Sequence, residues 1–354
     1  MSNLSQQIKI VCLHNEIHEL DDIINQLNIK DSELASRLVI DEENPDYIIA
    51  TDKTFLMYKA CNKLRDYFLH NKESIFIFFT GECLDADLNL FDYAFTLNSE
   101  LKCGDRIVYY IGYINDIGDN TFTREEARKI LENAPKFCNF IYSHEQEPRD
   151  SFFHMLSQYK QVDSLGQHLN NMGGSTHGRY AKNWYQDSIK LKTGYKFSLA
   201  MENAVYKGYT TEKIISSLQA HTVPIYWGDP AVTELINPKA FINCADYDSF
   251  NEVIERVKEI DNDDEKWLDM VTQPWQTEEQ KARTFQLINE YDKFIHNIFS
   301  QDINKAHRKP EGIWGEWCQK NFTGVVGIIP PLHMRIYWRI CRELKNLLGK
   351  FIKI

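Results

Sequence analysis

Residues 195–228 read YKFSLAMENAVYKGYTTEKIISSLQAHTVPIYWG, an order of strand, loop, helix and strand. From Tyr195 to Met201 the run is apolar and aromatic, as in a buried strand, and the residues from Thr222 to Trp227 have the same character. Between them the spacing predicts a helix from Thr211 to Ala220. The first strand delivers Glu202 and Asn203 to its carboxyl end, and Tyr209 follows in the loop. Glu212 and Lys213 then fall in the first helical turn. A helix N-terminus offers free N–H groups and a positive partial charge, which suits a phosphate or diphosphate. A lysine there is locally unfavourable without an anion, so Lys213 points to a bound anion. The plain alternative is a capped helix with a solvated lysine.

The same alternation extends in both directions. Towards the N-terminus, strands are expected at 8–13, 46–50, 74–79, 91–97 and 107–113, with a helix over 55–71. Thr123 followed by Arg124, Glu125 and Glu126 predicts a capped helix that ends before Pro135. A second cycle begins with a strand at 137–143 and a helix from Arg149 to Tyr159, followed by a polar stretch over 170–178. Continuous apolar strands separated by helices imply parallel sheets covered on both faces. The expected fold class is therefore α/β, with two halves joined near residue 135 and a cleft between them. No GxGxxG follows a strand and no GxxxxGK[ST] is present, so dinucleotide and P-loop readings are weak.

Composition sets further bounds. A chain of 354 residues exceeds one ordinary core, and 43% hydrophobic with 13% aromatic residues suffices for two. A net charge of −11 argues against nucleic-acid binding, which needs clustered cations. The eight cysteines form no CxxC pair, and residues 1–7 are polar rather than signal-like. Reduced thiols and a cytoplasmic setting are the expectation. No run approaches the roughly 18 apolar residues of a membrane span.

Several motifs in order carry a resemblance. Besides 195–228, they are Phe78 to Glu82 (FFTGE), Asn89 to Ala94 (NLFDYA), and Phe137 to Ser143 (FCNFIYS) leading to Arg149. Together, over about residues 75–245, the sequence resembles the family-10 α-1,3/4-fucosyltransferases, most closely the bacterial type. Met201 and Ala204 depart from the usual Phe and Ser, leaving the neighbouring polar residues in place. The resemblance implies a GT-B architecture, two Rossmann-like domains facing a central cleft. An acceptor domain would span 1–135 and a GDP-fucose domain 136–300, with a helical segment at 301–328 crossing back and a tail at 329–354.

For the site, the resemblance implies Glu82 as catalytic base, with Arg149 and Lys213 on the diphosphate. Glu212 would accept from the ribose hydroxyls, while Asn203 and Tyr209, with Glu202 and Thr211 beside them, would help hold the donor. The chemistry fits these residue types: a carboxylate takes the acceptor proton, and preorganised cations stabilise the departing diphosphate. With those cations in place no cofactor and no metal is expected. Asp85 and Asp87 have DxD spacing but are read as a surface loop. His14 to His18 is read as a loop and Trp227 as core. The implied reaction is inverting transfer of fucose from GDP-fucose to a GlcNAc- or glucose-containing oligosaccharide, with α-1,3 linkage favoured, as in lipopolysaccharide or Lewis-type glycan synthesis. The alternatives are a different nucleotide-sugar donor, or a noncatalytic nucleotide- or sugar-binding protein.

From Arg335 to Ile354 six basic residues stand against one acid, Glu343. Ile336, Ile340, Leu344, Leu347, Leu348 and Phe351 fall at helical spacing opposite the cations. An amphipathic helix lying on an anionic membrane surface is expected, placing the protein at the cytoplasmic membrane face. Packing on the protein itself is the alternative.

Overall fold

The computed structural model describes residues 7–14, 19–56, 58–115, 117–173, 183–310 and 312–325. The tail from Arg335 to Ile354, with its expected amphipathic helix, lies outside these residues, as do 15–18.

Two parallel sheets organise the chain. The first contains β1 (Ile8–Leu13), β2 (Leu38–Ile40), β3 (Tyr47–Thr51), β4 (Ile75–Phe79), β5 (Tyr93–Thr96) and β6 (Ile107–Tyr109), in the order β2-β1-β3-β4-β5-β6. The second contains β7 (Lys136–Phe140), β8 (Val162–Ser164), β9 (Tyr195–Met201), β10 (Val223–Trp227) and β11 (Ile242–Asn243), in the order β11-β10-β9-β7-β8. Every pairing in both is parallel. The continuous apolar runs are explained by burial on both faces. In β4, Ile75, Ile77 and Phe79 enter one core while Phe76 and Phe78 enter another. In β9, Phe197, Leu199 and Met201 face one core and Ala200 the other.

The segments that join the two sheets pack across the expected boundaries. After β6 the chain crosses at once: Ile111, Ile114 and Ile117 pack with Ile214, Ile215 and Leu218 of the helix Glu212–Gln219. The helix Arg124–Glu132, capped as expected by Thr123 and Glu126, buries Ala127 in the core of the second sheet. Arg124 also pairs with Glu265 and Asp269. Much of the segment 111–134 thus packs on elements of the second sheet. Pro135 stops a helix without stopping a domain, because the apolar stripe decides which sheet a helix joins.

The return also begins before residue 301. The helix Glu278–Ser300 buries Leu287 with the second domain, then Tyr291, Phe294, Ile295, Ile298 and Phe299 with the first. Beyond it, Arg308 pairs with Asp105, Lys309 lies 3.4 Å from Asp92, and Phe322 stacks edge-on with Phe68. The expected strand at 107–113 is also shortened, since Gly112–Asn115 is helical.

Candidate active site

The site is built where β9 ends. The Glu202 backbone N–H still donates to the Trp227 carbonyl at 2.7 Å, so the strand edge delivers the Glu202 side chain inward. It is 0% exposed. Gly228 makes room for it: a Cβ there would lie 2.5 Å from Glu202 Cγ, and its φ of 152° is one that side chains resist. Glu202 accepts from the Thr211 N–H at 2.9 Å, from the Thr211 hydroxyl at 2.8 Å and from Lys213 Nζ at 2.8 Å. The Thr211 hydroxyl in turn accepts from Lys213 Nζ at 2.9 Å.

This alters two expectations. Glu202 and Thr211 do not line the cavity in front of Lys213; both are buried behind it and hold it in place. The anion that makes Lys213 tolerable at a helix start is, in the first instance, Glu202 itself. Burial alone would lower the ammonium's pKa, but Glu202 and Glu212 more than offset it and raise it well above that of free lysine. Lys213 is therefore a fixed positive charge. Glu212, although partly desolvated, is held below its usual carboxylate range, chiefly by Lys213.

A cavity of about 350 Å³ opens in front of these residues. Arg149, Asn203, Glu212 and Lys213 line it together, so four of the expected site residues converge on one space. Arg149 begins the helix Arg149–Ser157 and is only 2% exposed. Its guanidinium stacks 3.8 Å over the Tyr142 ring, and Nη2 donates to the His144 carbonyl at 2.8 Å. Tyr142 is itself locked by the strand: its hydroxyl donates to the Leu199 carbonyl at 3.0 Å and accepts from the Met201 N–H at 2.8 Å. Arg149 Nε lacks a hydrogen-bond partner although buried. A planar cation clamped in this way is preorganised for phosphate oxygens.

Glu82 and Tyr209 lie outside the cavity lining and bridge the cleft. Tyr209 donates its hydroxyl hydrogen to Glu82 Oε2 at 2.7 Å and accepts from Asn203 Nδ2 at 3.3 Å. Asn203 Oδ1 accepts from Arg149 Nη1 at 3.3 Å, and the Asn203 carbonyl accepts from Gln146 Nε2 at 2.9 Å. A continuous hydrogen-bonded path thus runs from Glu82, in the turn after β4, to Arg149. The loop that carries Tyr209 is fixed against the first domain at Gly208, whose φ is 94° and where a Cβ would lie 2.3 Å from the Leu97 carbonyl. The Tyr109 hydroxyl donates to the Gly208 carbonyl at 2.9 Å.

Asp85 is not a passive surface residue. It accepts from the Tyr206 hydroxyl and, at 3.1 Å, from Asn98 Nδ2, so it ties the two domains together. Asp87 caps the turn at Asn89. Trp227 packs partly buried against the second core. Among the described residues, no group of three or more His, Cys, Asp or Glu is arranged to hold a metal ion.

The residue that sequence reading passed over is Lys192. It lines the cavity from the helix Trp184–Lys192 and is 6% exposed. Its signal was present: with Tyr185 and Ile189 it falls at i, i+4 and i+7, an inward position where an apolar residue is ordinary.

The chain is similar to several known fucosyltransferases. A putative fucosyltransferase of Acanthamoeba polyphaga mimivirus is 30% identical over 224 residues, covering 61% of this chain and 36% of that protein. An α-(1,3)-fucosyltransferase of Helicobacter pylori is 29% identical over 279 residues, covering 65% of this chain and 56% of that protein. The chain thus spans between roughly a third and a little over half of these relatives' lengths. In three dimensions it is similar to an α1,3-fucosyltransferase crystal structure, with a TM-score of 0.67 and 24% identity over 88% of this chain and 95% of that one. A structure of such an enzyme with GDP-fucose matches with a TM-score of 0.63 at 23% identity, covering 85% of this chain and 93% of that one. Both likenesses support the two-domain GT-B fold. The model for glycosyltransferase family 10 (fucosyltransferase), C-terminal part, matches residues 132–310, half of the chain, and the protein therefore belongs to glycosyltransferase family 10.

Proposed function

We propose that the chain transfers fucose from GDP-fucose to a hydroxyl of a GlcNAc- or glucose-containing oligosaccharide, with inversion and α-1,3 linkage. The observation that carries this reading is the path Glu82–Tyr209–Asn203–Arg149, which sets a carboxylate of one domain against a cation-lined cavity of the other. Arg149 and Lys213 hold the diphosphate and Glu212 accepts from the ribose hydroxyls. Glu82 removes the acceptor hydroxyl proton as that oxygen bonds to the fucose anomeric carbon. The bond from that carbon to the phosphate oxygen breaks, and GDP departs with its electron pair beside the two cations. A positioned base contributes about 10²–10⁴-fold. The developing negative charge meets donors that need no reorganisation. The two cations leave the diphosphate without need of a divalent metal, so activity is proposed to be metal-independent.

The test is a panel of nucleotide sugars offered with lacto-type and N-acetyllactosamine-type acceptors, with product linkage read by NMR. Transfer or slow hydrolysis of GDP-fucose is expected. Turnover of another donor alone overturns the sugar assignment, and binding without any turnover supports a noncatalytic role. The basic tail from Arg335 to Ile354 is proposed to hold the protein at the cytoplasmic face of an anionic membrane, on the strength of its charge and spacing.

A further inference from the structure

Lys192 Nζ is buried in the cavity wall against the first two turns of the helix Glu212–Gln219. It donates to the Ser216 hydroxyl at 2.5 Å, the Ser217 hydroxyl at 3.2 Å and the Lys213 carbonyl at 3.3 Å. All three acceptors are uncharged, and among the described residues no carboxylate forms an ion pair with it. Glu212 and Lys213 face it from that helix and Glu202 from the end of β9, while Arg149, His144, Glu145 and, from its own helix, Asp187 line the same cavity. Glu202 and Glu212 are already engaged by Lys213. The two carboxylates nearest to Lys192 are therefore shared with a second cation. A buried ammonium in this position lacks its counter-charge, and desolvation brings its pKa down to about 7.

We infer that Lys192 is a third cation of the donor cavity, one that takes up a proton from solvent when a nucleoside diphosphate enters. Arg149 and Lys213 carry full charge before the donor arrives, so neither has a proton to gain. The negative charge of the diphosphate supplies Lys192 with the partner that the folded chain withholds. Donor affinity is then coupled to pH through a residue outside the motifs that identify the family. This rests on the GDP-fucose reading.

The test is calorimetric titration of GDP into the full chain near pH 8, in two buffers of different ionisation heat. Guanosine, which has no diphosphate, serves as control. Uptake approaching about one proton per GDP is expected for the wild type, and none with guanosine. The wild-type Kd should rise by up to about tenfold per pH unit above neutrality, while Lys192→Met and Lys192→Gln should be flat and take up no proton. Thermal melts of both variants establish that they are folded. Wild-type binding without uptake overturns the inference by itself. Uptake that persists in the folded variants also overturns it and moves the proton to a group such as Glu202. If the wild type binds no GDP at all, it is the donor reading that fails.

Discussion

Tyr209 reaches across the interdomain cleft to Glu82, its hydroxyl 2.7 Å from the carboxylate, while Asn203 holds the same oxygen from behind. One phenol therefore ties a carboxylate of one domain to the cavity wall of the other. Burial pushes the Tyr209 hydroxyl far above its ordinary pKa, so it stays a donor at any working pH. Its hydrogen is directed at Glu82 Oε2 and fixes that oxygen in place.

Removing that phenol should separate positioning from binding. Tyr209→Phe keeps the ring and leaves Glu82 free to rotate. We expect kcat to fall about tenfold or more, consistent with an unmet buried hydrogen bond of ~1–3 kcal/mol, with GDP affinity changed far less. Steady-state kinetics set beside GDP binding check this.

Glu202 should matter for stability more than its distance from the cavity suggests. Glu202→Ala leaves Lys213 without its closest partner inside the protein. Losing one partner of a buried pair costs about 3–5 kcal/mol, so a large drop in melting temperature is expected. Glu202→Gln keeps the acceptor oxygen and should recover part of the loss. Thermal denaturation of the two variants gives the comparison.

The ligand-free protein should also show Lys192 in its pH–stability profile. Its folded pKa of about 7 lies below the 10.5 of free lysine. The unfolded chain therefore binds the extra proton throughout that window, and stability rises with pH across it. The slope from this one group is about 1.4 kcal/mol per pH unit. Lys192→Met should lack that component when both proteins are denatured with urea at a series of pH values.

The tail and the metal question have simple assays. Truncation after residue 330 should leave transfer intact and abolish sedimentation with vesicles rich in anionic lipid. Activity should persist in EDTA; loss that is restored by Mn²⁺ would contradict metal independence.

Much of the fold was legible because parallel strands buried on both faces announce themselves as unbroken apolar runs, as in Ile75–Phe79 and Tyr195–Met201. The short strands Leu38–Ile40 and Val162–Ser164 were not, since three residues carry no period. The domain crossings were missed for a different reason. Helices such as Arg124–Glu132 and Glu278–Ser300 show which face is apolar but not which sheet will cover it. In the site, Glu82, Arg149, Asn203, Glu212 and Lys213 stood in recognisable motifs. The inward direction of Glu202 depended on Gly228, and the importance of Lys192 depended on the helix opposite; both are tertiary facts.

The central claim is that Glu82 is the base for transfer from GDP-fucose. It is tested most directly by Glu82→Gln, which keeps the shape and the hydrogen bond to Tyr209 but cannot take a proton. With GDP-fucose and an N-acetyllactosamine acceptor, we predict GDP binding within about twofold of wild type and transfer lowered by about 10²–10⁴-fold. Transfer at the wild-type rate in that variant would contradict the account.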